Sequence, residues 1–171
     1  MNDEELTNLF FSDPDKIFTL VDRAGGNLDE LKNLQIGKLF AQKRFPELIK
    51  QEHIGAVEFM FWFCYFVERE IGDDIYEIEI LLGKNPEEIE GMVDGMDFGG
   101  KIAFIKKHYV ENPNEDSYTA LLKKIKDLRN HMAHGRLNKL EYGGYFLSDP
   151  RGQLKLTAHF RNALRKKEPF K

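Results

Sequence analysis

The stretch FMFWFCYFV, from Phe59 to Val67, restricts the possible folds of this chain more than any other feature of the sequence. Nine consecutive apolar residues leave no polar side on a helix, so the segment has to be enclosed from several directions. The stretch is also too short to span a bilayer, which takes about 20 apolar residues. We therefore predict that a helix from about Glu47 to Ile71 lies at the centre of a bundle or at a subunit interface.

Length and composition are those of one soluble domain. The chain has 171 residues, enough for a real hydrophobic core, and 32% of them are charged. Its single cysteine, Cys64, allows no disulfide within the chain and fits a reducing compartment. The N-terminal sequence MNDEELTNLF is acidic and lacks the pattern of a signal peptide. We expect a cytoplasmic protein without membrane contact.

Most other segments carry helix signals, namely capping residues, glycine or proline stops and apolar residues at helical spacing. The predicted helices span residues 12–26, 27–44, 74–82, 86–93 and 100–109, and a further one begins at Asp116 or Ser117. After Gly135 two short β-forming runs flank the sequence SDPRG, whose turn chemistry predicts a β-hairpin. A basic helix over residues 157–167 closes the chain. The fold class is therefore all-α, with a small β-hairpin near the C-terminus.

We interpret residues 1–171 as one domain, because no linker or repeat divides them. Residues 1–45 would form an N-terminal helical extension, and residues 46–137 the core of the bundle. Residues 138–171 would add the hairpin and the basic terminal helix.

The sequence LRNHMAHGRL, residues 128–137, concentrates polar chemistry on an amphipathic helix. At 100° per residue Arg129 falls about 40° from Ile125, inside the apolar stripe, so its guanidinium needs an anionic partner. On an ideal helix His134 would lie about 180° from Ile125. Arg129 and His134 can converge only if the helix ends near Gly135, or if a second subunit completes the pair.

A purely structural interpretation of the same residues exists. Arg129 would form a buried ion pair with a carboxylate, and His134 with Gly135 would cap the end of the helix.

The segment RNHMAHG resembles the signature of the HEPN superfamily, in which an arginine is followed by four to six residues and then a histidine. Here Arg129 and Asn130 open the motif and His134 closes it. The resemblance of the motif covers residues 98–137, and the helical layout extends it to residues 30–137. It implies a HEPN-type bundle. It also implies a homodimeric, metal-independent endoribonuclease that cleaves RNA through the ribose 2′-hydroxyl, without a cofactor.

The same resemblance implies a role for each residue of the motif. His134 would be the general acid or base, Arg129 would hold the scissile phosphate, and Asn130 would position these groups. An acidic residue of the preceding apolar helix would support them, with Glu58 and Glu68 both open. His131 could act as a second catalytic group, but we interpret it as the variable residue inside the motif.

Basic residues near the motif and in the terminal helix are candidate RNA contacts. They are Lys126, Arg136, Arg161 and Arg165. The resemblance also suggests a bacterial defence or toxin–antitoxin setting, with an antitoxin or a regulatory protein as partner. The formal net charge of −4 argues against strong binding of nucleic acid. The alternative function is therefore a HEPN-like dimeric binding or scaffold module without catalysis.

Overall fold

The structure, a computed structural model, describes residues 50–109 and 117–167. Across these residues the chain forms five α-helices and one antiparallel hairpin, which confirms the predicted fold class. The elements in chain order are α1 (Gln51–Leu81), α2 (Pro86–Gly95), α3 (Phe98–His108), α4 (Tyr118–Ala133), a 3-10 turn (Leu137–Lys139), β1 (Glu141–Tyr142), β2 (Tyr145–Phe146) and α5 (Pro150–Arg165). The helices predicted before residue 45 lie outside the described residues.

Helix α1 is the central element, and α2, α3 and α4 all pack against it. Met60, Phe63 and Val67 are at most 6% exposed, which confirms that the apolar run supplies core. One side remains open, because Phe66 is 39% exposed. Among the described helices, none has both the length and the apolar content needed to cross a membrane.

The predicted break between Ile71 and Asp74 is wrong, because α1 continues for 31 residues without interruption. Ile71, Ile75 and Ile78 extend one buried stripe across the expected boundary. Gly72 faces α2, and a Cβ atom on it would make an ordinary van der Waals contact of 3.6 Å with Val93. The burial of this stripe outweighs the helix penalty of one glycine, which is about 1 kcal/mol.

Asp74 does not begin a helix but anchors a buried polar network. Its side chain is almost fully enclosed and accepts a hydrogen bond of 2.9 Å from the hydroxyl of Tyr118 in α4. The ammonium group of Lys167 forms an ion pair with its other oxygen. Burial and the charge of Asp74 raise the pKa of Tyr118 above its ordinary value, so that its hydroxyl remains a donor. The network ties the end of the described chain to the middle of α1.

Side-chain caps start α2, α3 and α4 close to the predicted positions. Asn85 accepts a hydrogen bond from the amide of Glu87, and Asp97 accepts one of 2.6 Å from the amide of Gly100. Ser117, rather than Asp116, caps α4. Each cap satisfies an amide that has no partner within its own helix.

The predicted hairpin is present, but its turn lies elsewhere. Strand β1 pairs with β2 through a turn at Gly143 and Gly144, whose φ angles are 59° and 80°. Positive φ at both central positions defines a type I′ turn, which glycine adopts without a steric penalty.

The sequence SDPRG, predicted to be the turn, starts α5 instead. Asp149 is the N-cap and accepts a hydrogen bond of 2.8 Å from the amide of Arg151, and Pro150 occupies the first turn of the helix. Helix α5 thus begins well before the predicted residue 157. Phe160 of α5 is fully buried, and its ring contacts the rings of Phe63 and Tyr118.

Candidate active site

The motif helix α4 ends at Ala133, which confirms the predicted stop near Gly135. Gly135 has a φ of 68°, and its amide donates to the carbonyl of Met132. The amide of Arg136 donates to the carbonyl of His131 at 2.8 Å. These two bonds form a Schellman motif, which closes the last turn of the helix. His134 is therefore the C-cap residue, at a defined position on the helix end.

Arg129 lies on the side of α4 that faces α3. It is half-buried, and its guanidinium lies 4.8 Å from the centre of the Phe98 ring. No carboxylate of the described residues forms an ion pair with it, and its described contact is this aromatic one. The buried Arg–carboxylate pair of the structural interpretation is thus absent from residues 50–109 and 117–167. A cation that is partly withdrawn from water and forms no ion pair with a carboxylate favours a bound anion.

The structure distinguishes the two acidic candidates of α1 by their surroundings. Glu68 accepts a hydrogen bond of 3.3 Å from Lys101 of α3. The charges of Glu68 and Arg129 both act on the thiol of Cys64, so the two side chains share one neighbourhood. Glu58 is half-buried and takes part in none of these contacts. Geometry thus favours Glu68, while the supporting role itself stays a prediction.

The thiol of Cys64 lies close to both Arg129 and Glu68. Burial raises its pKa to about 12, and the nearby Arg129 lowers the pKa by less than burial raises it. At pH 8 the thiol of the folded protein is therefore far less ionised than the thiol of the unfolded chain.

We expect Cys64 to resist an aromatic disulfide reagent such as DTNB in the folded protein at pH 8. It should react within seconds to minutes once urea unfolds the chain, because the thiol then regains its ordinary pKa. The measurement is the release of coloured thiolate over time, with the unfolded chain as the control. Rapid modification of the native protein would show that the thiol is reached by solvent.

Asn130 and His134 are both exposed to solvent. No hydrogen bond joins Arg129 to His134 within one chain, although the helix ends where their convergence requires. The helix end, which was the first of the two predicted ways to bring Arg129 and His134 together, is therefore present. It does not place the two side chains in contact. The second route, completion by another subunit, stays a prediction.

The candidate RNA contacts divide into two groups. Lys126 lies one turn before Arg129 on α4 and reaches the start of α3, where an added Cβ on Gly99 would lie 3.0 Å from its ammonium nitrogen. Arg136, Arg161 and Arg165 are exposed, and they make no ion pair among the described residues. Only Lys126 thus lies close to Arg129 along the same face of α4.

A groove on another face of α4 was not predicted from sequence. Lys124, Asp127 and His131 line one wall, and Tyr142 with His159 lines the other. We call this space the His131 groove; its volume is about 580 Å³. The hydroxyl of Tyr142 is hydrogen-bonded to Nδ1 of His159, which fixes the second wall. His131 occupies the variable position of the motif, and no local spacing in the sequence links it to His159.

Within the described ranges, no three His, Cys, Asp or Glu side chains are arranged as ligands of a metal ion. Comparison of the chain with protein-family models, curated proteins and solved structures found no match. The resemblance to the HEPN superfamily therefore rests on the Arg129–His134 motif and the helical layout alone, and it stays a prediction.

Proposed function

We propose that the protein is a metal-independent endoribonuclease of HEPN type, which acts on RNA as a homodimer. The observation that carries this proposal is the half-buried guanidinium of Arg129, which lies over Phe98 without a carboxylate partner among the described residues. Arg129 is a permanent cation whose planar group can hold two phosphate oxygens at once. The N–H donors of Arg129, which have no carboxylate partner among the described residues, therefore suit a phosphate of the RNA backbone.

The proposed reaction transfers two protons and needs no metal. The 2′-oxygen of the ribose attacks the adjacent phosphorus as its proton passes to a base. The bond from phosphorus to the 5′-oxygen breaks, and an acid protonates that oxygen. The products are a 2′,3′-cyclic phosphate and a 5′-hydroxyl end. An imidazole, with its pKa near neutrality, can serve in either role.

His134 is the imidazole that we assign to this chemistry, because it is exposed at the fixed end of α4. One imidazole cannot act as the base at the 2′-oxygen and as the acid at the 5′-oxygen in the same step. A second chain would supply the second imidazole, and it would also bring His134 towards the Arg129 that it does not contact within its own chain. Asn130 would position the phosphate, and Glu68 would orient the cations beside it.

The test is cleavage of a labelled single-stranded RNA in EDTA by the wild type and by His134→Ala. We expect a 2′,3′-cyclic phosphate product and a rate reduced by about 10²–10⁴ in the variant, the usual contribution of a general acid or base. His108→Ala is the control, because it removes an imidazole at the far end of α3. Equal cleavage by the wild type and His134→Ala would remove His134 from the mechanism.

The second candidate function is a HEPN-like dimeric module that binds a partner without cleaving RNA. Two observations favour it: the formal net charge of −4 and the missing contact between Arg129 and His134. On this hypothesis the wild type would cleave no RNA in EDTA or in magnesium, and its dimer would still form. An antitoxin or regulatory protein is the partner expected in either case.

A further inference from the structure

We propose that the His131 groove is a subsite for one unstacked nucleotide of single-stranded RNA, next to the phosphate that is cleaved. This inference rests on the proposed function and names its substrate class. It starts from position: His131 and His134 are three positions apart at the end of α4, and residues with this spacing are neighbours on a helix surface. The groove therefore opens within one helical turn of the proposed catalytic imidazole.

The size of the groove fits a single nucleotide. Its volume of about 580 Å³ lies within the range of small-ligand sites, roughly 300–1,000 Å³. Leu128, which is 6% exposed, supplies an apolar lining residue between the polar ones. A flat base can contact this apolar surface while its edges reach the polar walls.

The walls offer the contacts that a base requires. Tyr142 and His159 have ring centres 6.1 Å apart, at an angle of 51°, and the hydrogen bond between them keeps both rings in place. Aromatic rings of this kind stack on bases of any sequence. Across the groove, Asp127 can accept a hydrogen bond from an amino group of a base or from a ribose hydroxyl.

The charges of the groove suit an RNA strand that continues on both sides of the bound nucleotide. Lys124 lies about 10 Å before His131 along α4, and Lys139 follows the helix end, so the cations are spread along the groove. Each can meet the phosphate on one side of the bound nucleotide. Asp127 and Glu141 balance these two charges, so the groove is not a general polyanion surface.

Duplex RNA cannot supply such a ligand, because its bases are stacked and paired. The groove therefore selects single strands, in which a base can turn out of the stack. This selection is separate from the chemistry at Arg129 and His134, since neither of these residues lines the groove.

The experiment measures binding of a fluorescent hexanucleotide whose riboses are all 2′-O-methylated, which prevents cleavage through the 2′-hydroxyl. Fluorescence anisotropy compares the wild type with His131→Ala and Lys124→Ala. The matched control is Lys123→Ala, since Lys123 is an exposed lysine of the same helix and does not line the groove.

We expect His131→Ala and Lys124→Ala each to weaken binding about three- to tenfold, the range of a single base or phosphate contact. Lys123→Ala should stay within about twofold, and a duplex of equal length should compete at least about tenfold less well. The proposal is overturned if the wild type binds no oligonucleotide. It is also overturned if His131→Ala binds like the wild type, or if Lys123→Ala loses as much affinity as Lys124→Ala.

The two proposals fail in different ways. Binding that depends on the groove, in a protein that cleaves no RNA, would leave the subsite in place and remove the nuclease. Cleavage that needs His134 but is unchanged in kcat and KM by His131→Ala would leave the nuclease and remove the subsite. The thermal midpoint of each variant shows whether its fold is intact.

Discussion

Arg129→Lys is expected to lower kcat/KM for RNA cleavage by about a hundredfold or more, although it keeps the positive charge. The guanidinium is flat, lies 4.8 Å from the centre of the Phe98 ring, and can donate two parallel hydrogen bonds to a phosphate. An ammonium group offers one point of charge on a flexible stem, so it neither stacks in the same way nor grips two oxygens. Initial rates at several RNA concentrations measure the effect.

The control for this substitution is Arg69→Lys. Arg69 is exposed on α1 and lies outside the proposed site, so the same change there should alter kcat/KM by less than about twofold. Thermal unfolding should show that both variants keep the stability of the wild type. A fully active Arg129→Lys protein would contradict the assigned role, because charge alone would then suffice.

Phe160→Ala is expected to remove about 3–5 kcal/mol from the free energy of unfolding, the usual loss for a buried phenylalanine. The side chain is fully enclosed, and its ring lies 5.8 Å from that of Phe63 and 6.2 Å from that of Tyr118. Alanine would leave a cavity where α1, α4 and α5 meet. Urea denaturation monitored by circular dichroism measures the change.

Leu154→Ala is the matched control on the same helix. Leu154 is 68% exposed, so its truncation should change the free energy of unfolding by no more than about 0.5 kcal/mol. A loss below about 1 kcal/mol for Phe160→Ala would mean that the site collapses around the smaller residue, or that α5 adds little to the core. Equal losses in both variants would point to a general effect on helix α5 instead of a cavity.

Sequence alone predicted the features that depend on local periodicity. The burial of most of the apolar run, the amphipathic helix that carries Arg129 and the stop of that helix at Gly135 all follow from the spacing of apolar residues and from glycine at a helix end. The inward position of Arg129 followed from the same spacing.

Two local signals were ambiguous, because the same residue types serve two purposes. Asp followed by Pro favours a turn, but it equally supplies the cap and first turn of a helix, which is its use at Asp149 and Pro150. Gly72 lies at the predicted break between two helices, where glycine is a common stop signal, yet α1 passes through it because the buried stripe of Ile71, Ile75 and Ile78 continues.

Features that join distant segments could not be predicted at all. The choice between Glu58 and Glu68 depends on which face of α1 meets Lys101 of α3. The His131 groove needs α4, the hairpin and α5 together, and its lining residues show no spacing that would connect them. These are properties of packing, which the order of residues along one helix does not contain.

The placement of α5 has a consequence for the protein as it is being made. Phe160 covers the aromatic side of α1 only when the last helix has been synthesised, about a hundred residues after Phe63. His159 closes the groove from that same helix, and Lys167 reaches back to Asp74. A chain that stops before residue 150 thus lacks Phe160 of the core and His159 of the groove at once. Completion of the core and completion of the groove therefore both depend on the synthesis of α5.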